Sequence, residues 1–103
     1  MDEREKKYLE MIEAFPESPL GYFTLGRYYV EQGRFREAIA PLERCIAEEQ
    51  DWAAALVALA DAHAGAGDKA KAIELLERAS STPQAGHGGI ADDIADRLDD
   101  LRD

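Results

Sequence analysis

The residue types that most often perform chemistry are sparse in this sequence. Two histidines, His63 and His87, and one cysteine, Cys45, are the candidates for acid–base or nucleophilic catalysis. Neither histidine lies in a motif with a serine or cysteine nucleophile, and His63 falls on an apolar helical stripe, where a lone histidine is usually a hydrogen-bonded core residue. Cys45 occupies a small position on a second stripe, which favours a buried hydrophobe over a redox switch. We therefore predict no catalytic residue and no enzyme activity.

Two further patterns resemble ligand sites. The glycine-rich segment at Gly86, Gly88 and Gly89 suggests a phosphate cradle, but it lacks the Lys-Ser/Thr pair and follows a helical segment, which favours a flexible joint. Four aspartates share one helical face near the end of the sequence: Asp92, Asp96, Asp99 and Asp103. Calcium sites usually wrap the ion with a loop, so a solvated acidic face is the better interpretation. The sequence predicts no cofactor and no metal site.

Composition narrows the class of protein. The chain of 103 residues is 46% hydrophobic and 33% charged, which is typical of one folded domain. Twenty-two acidic residues against 12 basic ones give a net charge of −10, which repels phosphate backbones and anionic lipids, so neither nucleic acid nor membrane is an expected partner. No apolar run approaches the roughly eighteen residues of a membrane span, and the start MDEREKKYLE lacks a signal-peptide profile. We expect a cytoplasmic protein.

The sequence repeats itself, without a gap, at an offset of 34 residues. The pairs include Leu25 with Leu59, Gly33 with Gly67, Ala38 with Ala72, and the run Leu42-Glu43-Arg44 with Leu76-Glu77-Arg78. Each repeat has the apolar spacing of two successive helices. Gly33 and Gly67 fall where the first helix of each repeat should end in a left-handed backbone. Ser18, Asp51 and Asp68 are placed to cap the helices that follow them.

These residues resemble the tetratricopeptide repeat family, whose 34-residue helix-turn-helix unit carries a characteristic series of aromatic, small and large residues. The first unit matches with Tyr22, Leu25-Gly26, Tyr29, Gly33, Phe35, Ala38, Leu42 and Cys45. The second unit departs more, with Leu56, Ala60 and His63 at the aromatic, Gly and Tyr positions. Gln50 and Gln84 replace the closing proline. The resemblance implies an all-α, right-handed helix-turn-helix repeat solenoid.

We predict one domain over residues 1–103 with about six helices. Residues 3–15 form a half-repeat helix, residues 19–52 and 53–86 form two full units, and residues 89–102 form a capping helix. Within them, Gly26 should mark a close helix crossing, and Pro41 should bend the helix over residues 35–48 without breaking it.

The resemblance implies a protein–protein interaction module, a scaffold or adaptor, that binds a peptide or helix of a partner in a concave groove. The family's groove positions map onto Leu20, Phe23, Arg27, Val30, Ala54, Val57 and Asp61. Ala91 and Ala95 would extend the groove if the last helix stacks regularly. Asp61 and its acidic surroundings suggest a ligand with Lys or Arg beside its apolar anchors, and Arg27 would meet a carboxylate or carbonyl. Only Arg27 suits the clamp that some members use for the C-terminal carboxylates of chaperones, so we expect no such activity.

Three alternatives remain open. Phe23 and Val57 could simply pack against neighbouring helices, and Trp52 could be either an interface anchor or a plug at the junction of the two units. The last helix could fold back over the groove and cover it. The chain could also be a self-associating assembly domain, a weak homodimer without a separate peptide ligand.

Overall fold

The computed structural model describes residues 2–86 and 88–103, so His87 lies outside the described residues. The described residues form six α-helices in succession: α1 (Glu3–Ala14), α2 (Pro19–Glu31), α3 (Phe35–Glu48), α4 (Ala53–Gly65), α5 (Lys69–Ser80) and α6 (Ile90–Arg102). A short 3₁₀ helix, Pro83–Gly86, precedes α6. The described residues contain no strand, which confirms the all-α prediction. None of these helices is both long and apolar enough to cross a membrane.

Glycine ends the first helix of each helix pair. Gly33 has φ of 74° and Gly67 has φ of 97°, values that a residue with a Cβ adopts only under strain. After each glycine the backbone turns back on the helix, because the Arg34 N–H donates to the Tyr29 carbonyl at 2.8 Å and the Asp68 N–H to the His63 carbonyl, also at 2.8 Å. The predicted left-handed turns are confirmed.

Two of the three predicted helix caps are confirmed. Ser18 Oγ accepts the Leu20 N–H at 3.3 Å, and Asp68 Oδ1 accepts the Lys71 N–H at 3.1 Å. The prediction for Asp51 is wrong, because Trp52 holds the cap position of α4 and makes no side-chain cap bond. The missing acceptor comes from a distant part of the chain, where the Gln84 side chain accepts the Ala53 N–H at 2.8 Å.

Successive helices pack on one another around one apolar core. α2 packs on α3 and α4 on α5, while α3 joins the two pairs through α4. Leu42, Leu56 and Leu76 are the largest fully buried side chains. α4 has neighbours on most sides, which explains why seven alanines lie among its 13 residues and why eight of its residues are buried.

Gly26 lies where α2 crosses α3 at close range, as predicted. A Cβ built on Gly26 would lie 2.4 Å from Cγ of Leu42, a separation that real side chains do not adopt. The same device recurs between α4 and α3, where a Cβ on Gly65 would lie 2.3 Å from the Phe35 ring. α3 runs continuously through Pro41, so the proline does not break the helix.

A buried carboxylate, Glu5, links α1 to α2 and to the start of α3. Glu5 is only 7% exposed, accepts the Tyr29 hydroxyl at 2.8 Å and pairs with Arg34 Nη1 at 2.9 Å. These hydrogen bonds, led by that from Arg34, lower the pKa of Glu5. The desolvated Tyr29 hydroxyl, bonded to this carboxylate, has its pKa raised to about 12.

At the other end of the chain, α6 packs mainly on α5, with further contacts to α4 and the 3₁₀ helix. Ile94 is its buried residue, and Arg102 pairs with Glu77 of α5 at 2.7 Å. α6 therefore continues the stack.

Candidate partner-binding cleft

An open cleft lies between α2, α4 and α6. Its volume is about 160 Å³. Its lining residues are Phe23 and Arg27 from α2, Ala54, Val57, Ala58 and Asp61 from α4, and Ile90, Asp93 and Arg97 from α6. The structure thus brings together five of the seven predicted groove residues, all from the first helices of the two helix pairs.

Leu20 and Val30 do not line this cleft. Leu20 is 59% exposed at the start of α2 and lines a separate hollow that it shares with Trp52. Val30, near the other end of α2, is half-buried against the core. Only the middle of α2 faces the cleft, so the two predicted residues nearest its ends fall outside.

The predicted extension of the cleft by Ala91 and Ala95 is wrong. Both alanines line another hollow, beside the end of α5. The face of α6 that meets the cleft carries Ile90, Asp93 and Arg97 instead. α6 packs mainly on α5. These contacts, and not the repeat register, set which residues of α6 meet the cleft.

The floor of the cleft is apolar and largely buried. Val57 is 7% exposed and Ala58 6% exposed, so both belong largely to the core. Phe23 is half-buried and stacks on Trp52, with ring centroids 4.5 Å apart and an interplanar angle of 30°. Val57 follows the packing interpretation. Trp52 packs against the core at the junction before α4 and also lines a surface hollow. Phe23 both packs inward and lines the cleft.

Asp61 is already neutralised by the protein itself. Its two carboxylate oxygens accept hydrogen bonds from Arg97, at 2.7 Å from Nε and 3.0 Å from Nη2. This bidentate pairing raises the pKa of Arg97. We expected a basic ligand because Asp61 had no partner in the sequence analysis. Arg97 is that partner, so Asp61 no longer supports a basic ligand in the cleft.

Arg27, by contrast, is exposed and makes no ion pair with any described residue. Its guanidinium carbon lies 5.8 Å from the centroid of the Phe23 ring. Arg27 also borders a second hollow, lined by Arg4, Tyr8, Phe23, Thr24, Tyr28 and Glu31. The two hollows together carry three arginines and three carboxylates, so this face is neutral on a chain whose net charge is −10.

A comparison with protein families assigns the fold. A family described as "Tetratricopeptide repeat" matches residues 23–86, which cover both helix pairs except the first turn of α2. The chain belongs to the tetratricopeptide repeat family. A search of curated proteins found no match. Tetratricopeptide repeats are generally protein–protein interaction modules and typically non-catalytic scaffolds.

The cleft of this tetratricopeptide repeat protein includes residues that the sequence did not single out. Ala58, Ile90, Asp93 and Arg97 belong to it. Two 34-residue offsets place Arg97 at the position of Tyr29, which lies in the core, so the repeat register did not indicate a cleft position for Arg97. Only the residue type of Arg97 indicated its role, because an arginine on a core stripe needs a carboxylate partner.

The chemically suggestive residues lie outside the cleft. Cys45 is fully buried, its Sγ lies 3.5 Å from the Pro19 carbonyl oxygen, and burial raises the pKa of the thiol to about 11. His63 is half-buried, and its Nε2 has no hydrogen-bond partner among the described residues, contrary to the expected bonded core histidine. Across residues 2–86 and 88–103, no three His, Cys, Asp or Glu side chains converge as a metal site would require.

Proposed function

We propose that this protein is a tetratricopeptide repeat adaptor that binds a peptide or helix of a partner protein in the cleft between α2, α4 and α6. One observation carries the proposal: the cleft is open, neutral and partly aromatic on a protein that is otherwise strongly acidic. Surfaces that receive a protein partner are depleted in unpaired charge and enriched in aromatic residues and arginine.

The cleft favours a ligand with an apolar anchor beside an acceptor group. Phe23 offers its ring to an apolar side chain, and the exposed guanidinium of Arg27 lies next to that ring. A carboxylate or a backbone carbonyl of the ligand satisfies Arg27, since a guanidinium carries only donors. Asp61 and Arg97 satisfy each other and act as a fixed wall.

Affinity capture from a native lysate tests this function. The bait variant is Arg27→Glu, which reverses the charge at an exposed position of the cleft. The matched control is Arg36→Glu, the same reversal at an exposed arginine of α3. We expect proteins that are retained by the parent and by Arg36→Glu and are lost with Arg27→Glu, as quantified by mass spectrometry. Equal retention by all three baits would exclude the cleft.

Deleting α6 tests whether this helix forms one side of the cleft or covers it. Because Ile90, Asp93 and Arg97 form one side of the cleft, deleting residues 87–103 should abolish capture. If α6 were instead an inhibitory cover, the truncated protein would capture more. Sedimentation at several concentrations tests the remaining alternative, since a dimer that Arg27→Glu dissociates would mean that a second copy occupies the cleft.

A further inference from the structure

A second docking surface lies outside the cleft, at the junction between α3 and α4. We define the junction hollow by its lining residues: Pro19, Leu20, Glu49, Asp51, Trp52 and Gln84. Its volume is about 360 Å³, which falls in the range of pockets that take a ligand. Phe23 lines the cleft and Trp52 lines the hollow, so their stacked rings stand between the two surfaces.

The apolar part of the junction hollow is unusually exposed. Leu20 is 59% exposed and is one of two large apolar side chains, with Phe15, that the described residues present openly to solvent. Trp52 beside it is half-buried, and its indole N–H donates no hydrogen bond within the part of the chain that the structure describes. An exposed leucine next to an indole with an unused donor offers both apolar contact and a polar anchor.

The polar part of the hollow is acidic and unpaired. Glu49 and Asp51 are exposed and form no salt bridge among the described residues. Arg78 approaches this turn, but its Nη2 donates to the Gln50 carbonyl at 3.0 Å. Asp51 does not cap α4, because Gln84 serves the Ala53 N–H. Neither carboxylate therefore makes a helix-cap bond or a salt bridge, among the described residues, that a bound ligand would break.

We propose that the junction hollow binds a basic segment of a partner protein, with an arginine or lysine between Glu49 and Asp51 and an apolar side chain against Leu20. Charge complementarity selects this occupant, because two unpaired carboxylates flank the indole and the leucine. A second copy of this chain is disfavoured, since its net charge of −10 would bring acidic surfaces together. This surface is independent of the neutral cleft and of the function proposed for it.

Trp52 makes occupancy directly measurable, since it is the single tryptophan of the chain. The probe is an acetylated and amidated hexapeptide of alternating leucine and arginine, titrated into the full chain while Trp52 emission is recorded. A twin peptide with citrulline in place of arginine removes the charge at constant shape. We expect a saturable change with the arginine peptide, and a response to citrulline that is weaker by about tenfold or more.

Paired variants test the two halves of the hollow. Glu49→Gln/Asp51→Asn should weaken the arginine peptide roughly three- to tenfold and flatten its salt dependence. The control Glu10→Gln/Glu13→Gln neutralises two exposed carboxylates on α1 and should leave the affinity unchanged.

Leu20→Ser should weaken binding several-fold, whereas Phe15→Ser removes the other exposed large apolar side chain and should have no effect.

Three results would overturn the proposal. The first is the absence of any saturable change in Trp52 emission. The second is equal weakening by both carboxylate double variants, which would mean unspecific attraction to an acidic protein. The third is a response abolished by Arg27→Glu and untouched by Glu49→Gln/Asp51→Asn, because the peptide would then lie in the cleft and reach Trp52 through Phe23.

Discussion

A single methyl group at Gly26 should destabilise the fold, although alanine is the better helix former. In an exposed helix, replacing glycine by alanine gains about 0.5–1 kcal/mol. Here the new Cβ would lie 2.4 Å from Cγ and 2.6 Å from Cδ2 of Leu42, which is fully buried. Overpacking of this kind costs about 1–3 kcal/mol, so it outweighs the gain in propensity.

Thermal unfolding followed by circular dichroism measures the effect. Each kcal/mol lost corresponds to a fall of about 4–8 °C in Tm for a domain of this size. We expect Gly26→Ala to melt below the parent and Gly26→Leu to melt lower still. Gly86→Ala is the matched control, because a Cβ there has no neighbour within 4 Å, and the change should stay within about 1 kcal/mol.

A double-mutant cycle identifies the cause. Leu42→Ala alone should cost about 2–5 kcal/mol through the cavity that it leaves. In Gly26→Ala/Leu42→Ala the added methyl group occupies part of that cavity. The loss of unfolding free energy in the double variant should therefore be smaller than the sum of the two single losses by about 0.5–3 kcal/mol. If Gly26→Ala melts at or above the parent temperature and the two changes are additive, the close crossing of α2 and α3 is refuted.

Asp68→Ala should remove the cap of α5 and lower the unfolding free energy by about 0.5–2 kcal/mol in urea titrations, whereas Asp51→Ala, at a position that caps no helix, should change it by no more than about 0.5 kcal/mol. Glu5→Gln should lower Tm at pH 7. Because Arg34 lowers the pKa of Glu5 in the fold, the stability contributed by the charged form is complete above the ordinary value of 4.5 and is lost as the pH falls through the lowered pKa. The Tm values of parent and variant should therefore converge in acid, and a constant difference would contradict this linkage. Cys45, whose thiol pKa is raised to about 11, should react with a thiol reagent at pH 8 only as fast as the protein unfolds, so rapid labelling of the native state would contradict its burial.

Local rules made the helix pairs predictable from sequence. A helix that ends with a residue of positive φ favours glycine at that residue, and Gly33 and Gly67 occupy this position one repeat apart. Gly26 follows from the same register, because a mid-helix glycine is costly unless two helices meet there. The glycine turns act within a few residues of their cause, and the Gly26 crossing recurs with the repeat, so the sequence alone is enough to predict both.

The cleft was predictable only where the register holds. α2 and α4 keep it, and they supply Phe23, Arg27 and Val57 as expected. Leu20 obeys the same pattern and yet lies outside, because the cleft is shorter than the helix that lines it.

Only the tertiary structure shows which distant hydrogen-bond donors and acceptors pair with each other. Asp61 and Arg97 are 36 positions apart, and Gln84 caps a helix that begins 31 positions earlier. Spacing along the chain indicates which face of a helix is apolar, but it does not indicate which acceptor meets which donor across a gap. The face that α6 turns to the cleft has the same origin. α6 packs mainly on α5, and these long-range contacts, not the repeat register, determine that Ile90, Asp93 and Arg97 meet the cleft.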